Sequence, residues 1–168
     1  EPYGSRFIIL RPGNTTKSAP VEYATVGRMP VEGTWSVMFP GIDTVTMDTL
    51  TSWTEFANKD FKYFSGTATY SIDFPVKKKM LKDTEARYVL SLGKVKNMAQ
   101  VVVNGITLPV LWKAPFECDI TDALVKGNNR IEVKVTNLWP NRMIGDEQEP
   151  DDIEWSEPLK YDFAPGSP

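Results

Sequence analysis

Histidine is absent from this sequence of 168 residues. That removes every Ser–His and Cys–His nucleophile and the commonest metal ligand. An enzyme built from this chain would have to work with carboxylates, lysine or tyrosine. Cysteine is nearly absent: Cys118 stands alone, so no disulfide can form within the chain. A core of this size, able to bury ~70% of the unfolded surface, needs none. No apolar run reaches the ~18 residues of a membrane helix, and no signal-peptide pattern opens the chain. The first residues, "EPYGSRFIIL", enter a strand at once and read as a cut made inside a longer protein. Excess positive charge is missing too. The net charge is −3 and the pI about 5.1, which argues against nucleic acid or an anionic membrane as partner.

What the sequence does have is period-two alternation. "TATYSIDF" sets Ala68, Tyr70, Ile72 and Phe74 on one face and Thr67, Thr69, Ser71 and Asp73 on the other. "RIEVKVT" turns Ile131, Val133 and Val135 inward, and "FECDI" groups Phe116, Cys118 and Ile120. "RYVLSL" and "AQVVV" carry a more apolar second face, which suits the middle of a sheet. "TWSVMF" (34–39) and "SRFIIL" (5–10) complete the strands. Asn104-Gly105 sits between "AQVVV" and "ITLPVLW", the strongest two-residue hairpin signal, because both central positions of a type I′ turn need positive φ. Thirteen prolines and eleven glycines interrupt the chain, and no window makes a long amphipathic helix. Short helical turns are expected in "TDALVKG", capped by Asp119 or Thr121 and ended by Gly127, and in "SWTEFANKDFKYF". The pattern predicts an all-β chain, an antiparallel β-sandwich. Residues 11–30 read as a linker or surface crossing, and residues 146–157 as an acidic loop.

Four features could carry chemistry. The acidic run Asp146, Glu147, Glu149, Asp151, Asp152, Glu154 and Glu157 offers carboxylates of the kind used by a glycosidase acid–base pair or by calcium. It lacks the spacing of a calcium-binding loop, and a solvated loop accounts for it more simply. Cys118 alternates with Phe116 and Ile120 and is expected to be a small core residue. The aromatic residues Trp112, Trp139, Phe116 and Tyr63 could stack on sugar rings while amides and arginine bind hydroxyls. The same rings could equally pack beneath loops or against another domain. Finally, "DIT..L..G.N.I.V.V.N" reads as joinery: Asp119 and Thr121 accept from backbone donors, Leu124 plugs the sandwich end, Gly127 reverses the chain, and Asn128 or Asn129 opens the next strand.

Taken in order, "FSGTATY", "YVLSLGKVKNMAQVVVNG", "LWKAPFECDITDAL" and "GNNRIEVKVTNLWPNRMIGD" resemble the galactose-binding-like jelly-roll domain of large glycoside hydrolases. The stretch is similar to the sugar-binding domain of glycoside hydrolase family 2. It resembles more closely the C-terminal domain of family 106-type α-L-rhamnosidases. The resemblance covers residues 33–146. It implies a non-catalytic accessory domain, residues 31–168, following the end of a preceding β-domain and a linker in residues 1–30. It implies a larger parent enzyme, periplasmic or extracellular, whose acid and base lie on a (β/α)8 barrel; such a barrel needs ~250 residues. No catalytic residue carries over. The best binding candidates are Trp112, Lys113, Trp139, Asn141 and Arg142, facing either carbohydrate or the parent's barrel. No cofactor is expected beyond a structural calcium ion that the fold sometimes holds. A free-standing adhesion or protein-interaction sandwich is the alternative.

Overall fold

A computed structural model describes residues 23–83 and 85–148. The chain divides into two units, Glu1–Pro30 and Val31–Pro168. In the first, the described residues 23–30 form neither helix nor strand; "SRFIIL" lies outside the described residues. All elements below belong to the second unit.

The strands are β1 (Trp35–Met38), β2 (Thr44–Met47), β3 (Thr67–Val76), β4 (Val89–Ser91), β5 (Met98–Val103), β6 (Ile106–Thr107), β7 (Glu117–Asp119) and β8 (Gly127–Thr136). Among the described residues two short helices are α1 (Lys59–Lys62) and α2 (Pro140–Glu147), and single 3-10 turns lie at Trp53–Glu55, Met80–Lys82 and Thr121–Ala123. Six strands form one sheet in the order β2-β1-β3-β8-β5-β6, and β4 pairs with β7 in a second. Every pairing is antiparallel. This is the expected all-β sandwich.

The alternating residues meet in rows across the large sheet. Ala68, Val135 and Ala99 are register partners, as are Tyr70, Val133 and Val101, and Ile72, Ile131 and Val103. Each row comes from three strands and faces the same way, because side chains alternate across a strand. Cys118 and Ile120, with Leu90 partly buried beside them, close over these rows from the small sheet. Each aliphatic side chain so buried contributes ~1.5–3 kcal/mol. Cys118 is therefore core, as its alternation implied.

A second core lies around Phe39. Its ring meets Phe61, Phe64 and Trp53 edge-on at 5.0, 5.2 and 5.6 Å between centroids, an arrangement that matches positive ring edges to negative faces. The stretch "SWTEFANKDFKYF" supplies these three partners and a fourth, Phe56 at 6.4 Å, from the turn at Trp53 through α1 to Phe64. Its scattered aromatics mark this core.

The hairpin signal is realised. Asn104 and Gly105 take φ of 50° and 84°, and they join β5 to β6. Three expectations need correction. "RYVLSL" does not run mid-sheet: β4 has one strand partner, and Val89 is exposed, so its apolar second face is open rather than covered. The turn in "TDALVKG" is 3-10, and it ends on extended Leu124. Gly127 has the expected positive φ of 97°, but it uses it to enter β8. Lastly, "NLWPNR", whose position after β8 suggests a loop at one end of the sandwich, is without regular structure only at Asn137 and Leu138. Trp139 caps α2, and Asn141 and Arg142 lie within it.

The joinery around β8 centres on Asn129, a buried polar residue with no exposed surface. Its Nδ2 donates to the carbonyls of Val125 and Gly127, and its Oδ1 accepts from Val125 N and Asn104 Nδ2, all at 2.8–2.9 Å. Asn104 Nδ2 also donates to the Ala123 carbonyl. The hairpin turn, the 3-10 turn and the entry of β8 are thus joined by two amides. Nearby, Thr121 Oγ1 accepts from Tyr88 N, and Thr121 N donates to Asp119 Oδ1. The bonds from the Thr121 hydroxyl and N–H hold the Asp119 carboxyl below its ordinary value, and Arg87 at 2.7 Å adds to the effect.

Candidate functional site

The rim to which the sequence points is built where β8 ends. Thr136 is the register partner of Thr67 on one side and Met98 on the other. Ala99, next to Met98, bridges to Leu111, and the two exchange backbone hydrogen bonds at 2.7 and 2.8 Å. The chain therefore leaves the sheet towards Trp139 at the end where Trp112 follows Leu111. Register alone brings the two expected tryptophans to one end of the sandwich.

Beyond Thr136 the polar side chains hold backbone. Asn137 grips the 64–66 turn: its Nδ2 donates to the Phe64 carbonyl, its Oδ1 accepts from Gly66 N, and its own N–H reaches the Gly66 carbonyl. Asn141 donates both amide hydrogens from Nδ2, to the carbonyls of Lys62 and Phe64 at 2.8 and 2.9 Å. Ser65 Oγ accepts from Arg142 N and donates to the Leu138 carbonyl. These bonds answer a fixed requirement. The carbonyls of a tight turn and the first N–H groups of a helix lack regular partners and must find some. Proline at the first helical position of α2 has no N–H to leave unmet.

Helix α2 is seated closely. A Cβ on Gly145 would stand 2.6 Å from Tyr63 Cβ and Cγ, so only glycine allows this approach. Tyr63 Oη donates to Gln148 Oε1 at 2.5 Å, and Lys62 Nζ lies 5.5 Å from the Tyr63 ring centroid. Tyr63 is thus a half-buried seat for the helix.

The five expected residues fall into separate groups. Trp112 is 68% exposed, with Lys113 Nζ 5.9 Å from its ring centroid. Trp139 is 80% exposed. Asn141 is committed to backbone carbonyls through its amide nitrogen. Arg142 Nε holds Asp146 at 2.8 Å, one helical turn away. Phe116, grouped with the tryptophans in sequence, is half-buried. Asn137 closes the joinery motif, but its grip on the 64–66 turn, like the role of Ser65, went unread in sequence. The signals present were Pro140 and the Arg142–Asp146 spacing, which together mark a helix start and an i,i+4 pair.

Asp146 and Glu147, expected in an acidic loop, close α2 instead. The other five carboxylates of that run lie outside the described residues. Among the described residues, no group of three or more Cys, Asp or Glu side chains is placed to hold a metal ion.

This all-β domain with its rim aromatics matches known proteins over most of its length. The sequence profile of the sugar-binding domain of glycosyl hydrolases family 2 fits residues 22–159. The chain belongs to that family. A protein of Formosa agariphila, provisionally named a beta-glucuronidase, is 47% identical over 145 residues, which is 82% of this chain and 12% of that protein. The structure of a rhamnosidase from Novosphingobium sp. PP1Y superposes with a TM-score of 0.66 at 37% identity, over 81% of this chain and 14% of that one. A beta-glucuronidase from an uncultured Clostridium sp. shares the fold at 23% identity and a TM-score of 0.54, over 64% of this chain and 22% of its own. The family 2 sugar-binding domain described here thus spans a small part of the proteins it matches. The resemblance to the family 2 sugar-binding domain read from "LWKAPFECDITDAL" and its neighbours is borne out by the sequence profile, and a rhamnosidase stands among the structural matches.

Proposed function

We propose that this chain is a non-catalytic accessory domain of a larger glycoside hydrolase, and that it contacts saccharide through Trp112 and Lys113. The observation that carries the saccharide contact is the open indole of Trp112 with a lysine ammonium over it. A flat ring offers the apolar face of a sugar a stacking surface, and the positive charge beside it favours a uronate carboxylate. Family membership supports the class of ligand. The small share of each relative that the chain spans supports a parent enzyme that bears the reacting carboxylates elsewhere. In this reading residues 1–30 are the end of a preceding β-domain and a linker. The parent hydrolyses a rhamnoside or a glucuronide from plant-type polysaccharide, in the periplasm or outside the cell.

Calorimetric titration of the 168-residue chain with rhamnose- and glucuronate-terminated oligosaccharides tests the contact. Binding is expected, with loss on Trp112→Ala and weakening on Lys113→Ala. Absence of heat with every saccharide at millimolar concentration would leave the domain a support only. Hydrolysis of nitrophenyl glycosides by the isolated chain would overturn the accessory reading.

A further inference from the structure

Helix α2 is turned inside out. A surface helix ordinarily buries its apolar stripe and shows its polar one. Here Asn141 and buried Gly145 face the body of the domain, against Lys62, Phe64 and Tyr63, while exposed Gln148, just past the helix, accepts from Tyr63. Trp139, Met143 and Ile144 face water at 80%, 63% and 50% exposure. Trp139 and Met143 are one turn apart, as are Pro140 and Ile144, so the four form a continuous ridge. Exposed Leu138 leads into it. Leaving such a ridge in water forgoes burial worth roughly 25 cal/mol for each square ångström.

The ridge does not suit saccharide. A sugar surface needs hydroxyl partners beside the ring. The Asn141 amide hydrogens are committed to backbone carbonyls, and Arg142 is held along the helix by Asp146 through Nε, which leaves its Nη groups as the donors nearest the ridge. Met143 and Ile144 offer no donor. An aliphatic and indole ridge fits another apolar protein surface. The relatives that the chain matches are far longer, this domain spanning 12% and 14% of two of them. Further protein of the same polypeptide is therefore the partner at hand.

We propose that the ridge Trp139–Pro140–Met143–Ile144 is the surface on which this domain docks against an adjoining domain of its own longer polypeptide. The inference rests on the accessory-domain reading above, and it assigns Trp139 to protein contact and not to glycan.

Hydroxyl-radical footprinting tests it, comparing the 168-residue chain with the longer protein that contains it. Trp139 and Met143 should oxidise several-fold more slowly in the longer protein, while Trp112 stays reactive. Equal oxidation in the two overturns the proposal. So does protection in the short chain that rises with its concentration, which would mean a second copy. So does protection that disappears when the chain is cut after Gln148, which would mean residues 149–168 cover the ridge. Protection that needs added saccharide would return the ridge to glycan. A gene encoding no further domain overturns it outright. The double variant Met143→Lys, Ile144→Lys gives a second measurement. It should leave the melting temperature of the short chain unchanged and split off a separate unfolding transition in the longer protein; a single unsplit transition there speaks against docking. Saccharide titration with Trp112 variants reports on the glycan reading alone, so the two can fail separately.

Discussion

Asn129 is the residue whose loss should be felt most. Its amide joins three segments with no exposed surface. Truncation would leave the Val125 N–H, two carbonyls and one Asn104 hydrogen poorer by a partner each. Unmet buried groups cost more than the net worth of the bonds they made. Asn129→Ala is expected to destabilise by about 3 kcal/mol, read as a lower urea midpoint at unchanged slope. Asn128→Ala, one position earlier on an exposed site of β8, should change little. The sequence could offer either asparagine as the opening of the strand. It could not choose, because the choice depends on Asn104 arriving from 25 positions away.

At the scale of elements, strands were legible and α2 was not. Period two survives in β3 and β8 because one face is core and the other is not. Helix α2 has eight residues, and those turned inward are Asn141 and Gly145. Its apolar residues at helical spacing, Trp139, Met143 and Ile144, span little more than one turn, too short a run to stand out as a helix in sequence. Gly145 shows why the inward face is polar and small: the helix rests on Tyr63 with no room for a methyl group. In an open helix Gly→Ala stabilises by about 1 kcal/mol. Here Gly145→Ala should destabilise by about 1–3 kcal/mol through overpacking, and thermal unfolding will show the sign. The pairing Tyr63→Ala with Gly145→Ala should recover only a part of the loss, since alanine removes the Cγ and Cδ2 contacts but keeps the Cβ at 2.6 Å.

Across the whole molecule, pH has a limb at each end. Hydrogen bonds from Thr121, then Arg87, hold the Asp119 carboxyl below its ordinary value. That stability is present above the unfolded value and is lost as pH falls through the folded one. Asp119→Asn should flatten the acid limb, by a modest amount because the carboxylate is substantially exposed and screened. Burial pushes the Cys118 thiol from 9.0 to about 11, with Asp119 adding to it, and burial pushes the Tyr70 phenol from 10.0 to about 12. Both groups favour the folded state fully below their unfolded values. They lose that contribution as pH rises through the folded ones. Denaturant titrations should therefore show stability falling from about pH 9 to about pH 11, with Cys118→Ala removing the first part of the fall. At neutral pH the same thiol should react with alkylating reagents only on unfolding.

By itself the sequence determined the inward faces of β3, β7 and β8, the hairpin at Asn104-Gly105 and the family. These are short-range facts: alternation, a two-residue turn and an ordered set of motifs. Its lack of histidine also closed off whole classes of chemistry. Only the tertiary structure decided which strands pair, as with Thr67 and Thr136, 69 positions apart. It also decided that Asn141 anchors backbone while Trp112 and Trp139 stand open. The physical reason is that a polar or aromatic side chain has the same composition whether committed or free. What separates the two is the neighbour that folding brings to it from a distant part of the chain.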